Sequence, residues 1–143
     1  MRSFKLYNAT NLTQLLLDYK GVDYSIVTKA CPAFPDSNSP ILYDEGRWIM
    51  GLYPILGYLD RRILLPAYFP LDADSYAKAC MAFDHFLTRP PTPDDWLPIV
   101  AKHPFVLGEE PCVVDLILAQ RASNDPVWNK YQSRVKSAHG ARL

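Results

Sequence analysis

Ser39-Pro40-Ile41-Leu42-Tyr43-Asp44-Glu45-Gly46-Arg47-Trp48-Ile49-Met50-Gly51-Leu52-Tyr53-Pro54-Ile55-Leu56-Gly57-Tyr58-Leu59-Asp60 changes its hydrophobic period partway along. Ile41 to Tyr43 is a short apolar run after a proline, and Trp48-Ile49-Met50 is a second one. Between them Asp44-Glu45-Gly46 carries turn chemistry, with a glycine available for positive φ. From Leu52 onward the apolar residues Leu52, Ile55, Leu56 and Leu59 fall at i, i+3, i+4 and i+7, the stripe of a helix. Pro54 then lies in the first turn, where a missing N–H costs nothing. The stretch predicts a β-hairpin feeding a helix.

Upstream, Ser3 to Tyr7 alternates, with Phe4 and Leu6 on one face and Lys5 and Tyr7 on the other. Asn11 to Lys20 reads as a helix whose inward stripe is Leu12, Leu15, Leu16 and Tyr19. Asn8, Thr10 or Asn11 can cap it, and Gly21 stops it. Val22 to Val27 alternates again, so the first 27 residues form a right-handed parallel βαβ unit. Residues 28–39 hold Pro32, Pro35 and a polar cluster, and predict a loop or one helical turn. Downstream, Arg61 to Pro70 is an apolar, proline-bounded connection. A helix capped by Asp72 or Asp74 follows, with Tyr76, Cys80, Phe83 and Leu87 on one face to about Thr88. Arg89-Pro90-Pro91-Thr92-Pro93 ends it. Further helices are expected over Asp94–Lys102, Pro111–Arg121 and Pro126 to about Ala138. These elements divide the chain into an α/β lobe over 1–62, a linker over 63–70 and an all-α lobe over 71–143.

The chain has 143 residues, 49% hydrophobic and 13% aromatic, enough for a compact core. Fifteen basic and fifteen acidic residues cancel, so no net field steers the molecule toward nucleic acid or anionic lipid. No apolar run approaches the roughly 20 residues that span a bilayer, and Met1-Arg2-Ser3-Phe4-Lys5 leads into a strand without a signal-peptide core. A soluble, cytoplasmic protein is expected. Cys31, Cys80 and Cys112 have neither Cys-x-x-Cys nor metal-ligand spacing, and His85, His103 and His139 do not cluster with them. Reduced thiols, no disulfide, no metal and no cofactor are the expectation.

The opening stretch resembles the second half of the thioredoxin-like lobe of glutathione S-transferases. Lys20-Gly21-Val22 resembles the Lys-Gly-Val that closes the family's first helix, and Leu65-Pro66-Ala67-Tyr68-Phe69-Pro70 its Met-Pro-Val-Tyr-Pro segment. Pro104-Phe105-Val106-Leu107-Gly108, followed by Cys112-Val113-Val114-Asp115, resembles its Pro-Tyr-Phe-Leu-Ser and Ser-Leu-Val-Asp. Within the superfamily the chain is most like the stringent starvation protein A family, which binds bacterial RNA polymerase. The likeness covers about residues 4 to 137 with gaps and lacks much of the family's helical lobe. It implies a thioredoxin-like lobe with a reduced helical lobe, a cis Ser39–Pro40 bond, and a structural Asp115 in a helix capping box that opens at Cys112. Its shortened form would suit a host-acting copy carried by a phage.

The same resemblance argues against catalysis. Glutathione chemistry needs a hydroxyl or thiol at the first helix to stabilise the thiolate, and only Thr10 is available. It also needs a polar pair at the start of the helix after the hairpin, where this chain has Gly51-Leu52. The expectation is a binding module rather than an enzyme, with RNA polymerase or its sigma factor as the implied partner. A divergent glutathione-dependent transferase and an inhibitor of another host complex are the alternatives, and a homodimer is compatible with all three. The candidate contact residues are Leu65, Pro66, Tyr68, Phe69 and Pro70, although the family's Pro-His-Pro upstream of them is missing. Lys130 and Arg134 join them, because after Asp125 the chain has four basic residues and no acidic one. Any direct contact with nucleic acid would run through that basic last helix. Packing between lobes and a solvated helix face explain the same residues without a partner.

Overall fold

The computed structural model describes residues 3–138, which form two compact units, 3–66 and 67–138. Arg142, counted above among the basic residues of the tail, lies outside the described residues.

The first unit runs β1 (Ser3–Tyr7), α1 (Asn11–Lys20), β2 (Asp23–Val27), β3 (Ile41–Asp44), β4 (Arg47–Met50) and α2 (Leu52–Arg62). Its sheet has the order β2-β1-β3-β4. β1 pairs parallel with β2 from Ser3↔Asp23 to Tyr7↔Val27, and antiparallel with β3 through Leu6↔Leu42. The β3–β4 turn is Glu45-Gly46, at φ 48° and 87°, a two-residue turn with positive φ at both positions, whose twist matches the strands it joins. This is the thioredoxin-like arrangement expected of the βαβ unit and hairpin.

Alternation puts the two sheet faces to different uses. Phe4, Leu6 and Leu42 are buried, as are Leu16 and Leu17 of α1 and Ile55, Leu56 and Leu59 of α2. On the other face Tyr7, Ile41 and Cys31 form a core with the partly buried Val27, Phe34, Tyr43 and Trp48. Cys31 and Phe34 come from residues 28–39, which form bends and a turn without a helix. The Tyr43 and Trp48 rings meet at 4.6 Å and those of Tyr7 and Trp48 at 5.6 Å, an aromatic cross-strand ladder of the kind that stabilises a sheet.

Two side chains fix the loops around this lobe. Asn8, in the left-handed region at φ 54°, donates from Nδ2 to the carbonyls of Ser37 (2.8 Å) and Ser39 (2.9 Å). Lys20 is buried at the end of α1, and its Nζ donates to Asp60 Oδ1 (2.7 Å) and to the carbonyls of Ile63 (2.7 Å) and Pro66 (2.8 Å). These acceptors match the three donors of an ammonium. Burial lowers the Lys20 pKa, and Asp60 opposes that shift.

The Ser39–Pro40 bond corrects an expectation. The cis peptide bond among the described residues is Leu65–Pro66, and Ser39–Pro40 is not cis. Asn8 holds the Ser39 carbonyl and the Gly51 N–H donates to the Pro40 carbonyl at 2.9 Å, so the chain is tied on both sides of this bond.

The second unit contains α3 (Ala73–Thr88), α4 (Pro93–Lys102), α5 (Val113–Leu118) and α6 (Pro126–Ala138). Asp72 caps α3 by accepting the Ser75 N–H at 2.9 Å. α4 starts with Pro93 and continues through Pro98. α5 is shorter than the expected Pro111–Arg121, because the chain after Leu118 leaves the helix in a turn closed by Gln120 N–H to Ile117 and Arg121 N–H to Leu118. Among the described residues no helix is long and apolar enough to cross a membrane.

Candidate functional site

Thr10 is the N-cap of α1, and its hydroxyl is committed there. Thr10 Oγ1 accepts the Thr13 N–H at 3.1 Å, while Thr10 N–H donates to Thr13 Oγ1 at 2.8 Å. This is a capping box in which Thr13 replaces the usual Glu or Gln. The Thr10 hydroxyl thus accepts within the cap and lies 3.1 Å from Thr13 Oγ1, its nearest partner for the remaining O–H.

At the start of α2, Gly51 sits at φ 103°, a conformation that disfavours any side chain. A Cβ placed there would also meet Pro54 Cδ at 3.3 Å. The backbone therefore strains any side chain that would begin a polar pair, and Leu52 offers no polar side-chain atom. At the two positions that the sequence resemblance assigns to glutathione, the structure thus has an N-cap threonine and a glycine with positive φ followed by a leucine.

The Leu65–Pro70 candidates divide. Leu65 is 82% exposed, whereas Tyr68 is fully buried and Phe69 is 7% exposed. The Tyr68 carbonyl accepts the Val113 N–H at 2.8 Å, tying residue 68 to the start of α5. The Phe69 ring lies edge-on to Phe83 at 5.9 Å and Tyr76 at 5.6 Å. Tyr68 and Phe69 are therefore core side chains of the second unit and not partner anchors, which corrects the sequence reading. Pro66 and Pro70 are half-buried.

Lys130 and Arg134 share a face of α6, as their spacing predicts, but differ in role. Arg134 donates from Nε to the Pro104 carbonyl (3.0 Å) and from Nη2 to that of Val100 (3.1 Å). It also lies 5.9 Å over the Tyr131 ring. It is a tie between α6 and the end of α4. Lys130 is exposed. With Arg134, Asn129, Ser133, Ser137 and Phe105 it lines an open groove of about 670 Å³ along α6. No acidic side chain is among those lining residues.

Asp115 is fully buried and accepts from Val106 N–H (2.9 Å), Cys112 N–H (3.0 Å) and Tyr131 O–H (2.6 Å). It closes a capping box with Cys112 and joins the 103–108 loop, α5 and α6 at one carboxylate. Burial pushes its carboxyl up from the ordinary range, while the three donors pull the other way. Burial, with Asp115 beside it, pushes the Cys112 thiol up to about 12, so that sulfur is a thiol and not a nucleophile. Among the described residues no group of three or more His, Cys, Asp and Glu is placed to hold a metal ion.

Thr13, Lys20 and Tyr131 were given no such role from the sequence, and Asn8, offered there as a cap of α1, instead ties the loop at Ser37 and Ser39 while Thr10 is the cap. Thr13 alone had a legible signal, since Thr10-x-x-Thr13 has the spacing of a capping box.

No family model matches the chain, and no curated protein matches it. Solved structures do. A glutathione S-transferase from Rhodospirillum rubrum F11 is similar at a TM-score of 0.69 and 16% identity, over 94% of this chain and 88% of that one. A theta class glutathione S-transferase from Xanthomonas axonopodis pv. citri, with glutathione bound, gives 0.65 and 16% over 100% and 97%. A Nu-class transferase from Haemonchus contortus gives 0.66 and 17% over 96% and 92%. The chain has the glutathione S-transferase fold.

Proposed function

We propose that this chain is a non-catalytic binding module built on the glutathione S-transferase fold, whose partner is a protein. The observation that supports the reading is at the two positions the resemblance assigns to glutathione: Thr10 serves as the N-cap of α1, and Gly51, at a φ of 103° that strains any side chain, is followed by Leu52 in place of a polar pair. What remains chemically distinctive is the α6 groove with exposed Lys130 and no acidic lining residue. A groove of that kind suits an acidic surface. The partner proposed is bacterial RNA polymerase or its sigma factor, in keeping with the likeness of the sequence to the stringent starvation protein A family. A host-directed copy carried by a phage would serve the same role. The competing reading, a divergent glutathione transferase, draws on the relatives of this fold that hold glutathione.

Two titrations separate the readings. Calorimetry with glutathione should give no binding heat at millimolar ligand, and affinity capture should retain polymerase at low salt. Glutathione binding together with conjugating activity that Thr10→Ala abolishes would establish the transferase instead.

A further inference from the structure

We infer that the second unit carries a separate binding site for a phosphomonoester with a compact apolar substituent, in the cavity between α3, α4 and the 103–108 loop. This inference does not rest on the choice of protein partner. The cavity is an open cleft of about 360 Å³, and Lys78, Lys102 and His103 are exposed. Its basic lining residues are Lys78, Lys102 and His103, and its apolar wall includes Ile99, Val106 and Leu107. None of its lining residues is acidic, although the chain as a whole has as many acids as bases.

Two ammonium groups and an imidazole exceed what a carboxylate would neutralise, but they match a dianionic phosphate. Lysine is a well-matched phosphate donor, and histidine offers an N–H in either protonation state. The ion pair Lys78 makes, with Asp74, is long at 3.6 Å, with side chains 65% and 89% exposed. Such a pair holds little energy, so Lys78 is available to a ligand. Ile99, Val106 and Leu107 would face the apolar substituent.

The walls are held in place by groups already described. Asp115 holds the Val106 N–H at 2.9 Å. Phe105 and Gly108 exchange N–H···O bonds of 2.9 and 3.0 Å, which close the loop. Arg134 grips the carbonyls of Val100 and Pro104 on either side of the end of α4. A pocket anchored from three directions does not have to be ordered by its ligand, which lowers the cost of binding.

Calorimetry with phenyl phosphate, inorganic phosphate, phenol and benzoate tests the assignment. Phenyl phosphate should bind, with each of the other three at least about tenfold weaker, since each lacks one of the two recognised parts. The exposed pair Lys78→Ala and Lys102→Ala should together weaken phenyl phosphate about a hundredfold, taking tenfold per charge-assisted bond, without lowering the melting temperature. Ile99→Ser should weaken phenyl phosphate and leave inorganic phosphate unchanged. The inference is overturned if phenyl phosphate fails to bind up to about 10 mM. Benzoate or inorganic phosphate binding as tightly as phenyl phosphate, or the lysine double variant binding like the wild type, would also overturn it.

Discussion

Replacing Asp115 by alanine should be the most damaging single change in the second unit. The carboxylate is fully buried and satisfies three donors: the N–H groups of Val106 and Cys112 and the hydroxyl of Tyr131. Removing it leaves all three without an acceptor, at about 1–3 kcal/mol each. Partial relaxation and shared surroundings make the sum less than additive, so about 3–6 kcal/mol is expected. Against a typical total of about 5–15 kcal/mol, that is enough to leave the unit partly unfolded at room temperature. Asp115→Asn separates the acceptor from the charge. Its remaining oxygen can still serve Val106 and Tyr131, which both bond Oδ1, but its NH₂ would oppose the Cys112 N–H donor to donor. The asparagine variant should therefore lose about 1–3 kcal/mol, less than alanine. Urea unfolding followed by tryptophan fluorescence reads both, because Trp96 and Trp128 lie in this unit. A loss below about 1 kcal/mol for alanine, or equal losses for the two variants, would refute the three-donor argument.

Tyr68→Ala should cost about 3 kcal/mol, as expected for a fully buried aromatic side chain, and leave affinity per folded molecule unchanged. An unchanged melting temperature with weakened partner capture would return Tyr68 to the contact surface. Of the three free cysteines, Cys31 and Cys112 are buried and Cys80 is half-exposed, so a thiol reagent should label the native protein at Cys80, with the other two reacting only after denaturant. Rapid native labelling of Cys112 would contradict its raised pKa. The Asp72 carboxylate is held below the usual range by the backbone N–H of Ser75. Its folded pKa lies below the unfolded value, so its contribution is present above the ordinary carboxyl range and lost as pH falls through the folded pKa. Asp72→Asn, which does not titrate, should show a smaller loss of α3 helicity than the wild type as pH falls below the ordinary carboxyl range, and an equal loss would argue against the cap.

The hairpin and α2 were legible because the sequence changes period at Gly51, from two apolar strand runs to the 3.6-residue stripe of Leu52, Ile55, Leu56 and Leu59. The 63–70 stretch was not, since it has no period at all: Leu64 and Leu65 are exposed and Tyr68 and Phe69 buried within one run of apolar residues. Nothing local distinguishes them. Lys20 read only as the last residue of a helix, and its main partner, Asp60, lies forty residues along the chain. The spacing of Lys130 and Arg134 correctly placed them on one face, but sharing a face does not mean equal exposure. The carbonyls that engage Arg134 come from α4 and the residues after it. The absence of a polar pair at Gly51-Leu52 was readable, whereas the positive φ at Gly51 required the backbone.

Capture of RNA polymerase by the purified protein across a salt series tests the proposed binding role most directly. Wild type should retain the holoenzyme or its sigma factor at low salt and release it progressively as salt rises. Lys130→Glu should weaken retention, with the difference from wild type shrinking as the charges are screened. No retention by the wild type at low salt would contradict the polymerase proposal, and retention that neither Lys130→Glu nor salt affects would contradict the α6 groove as the surface of contact.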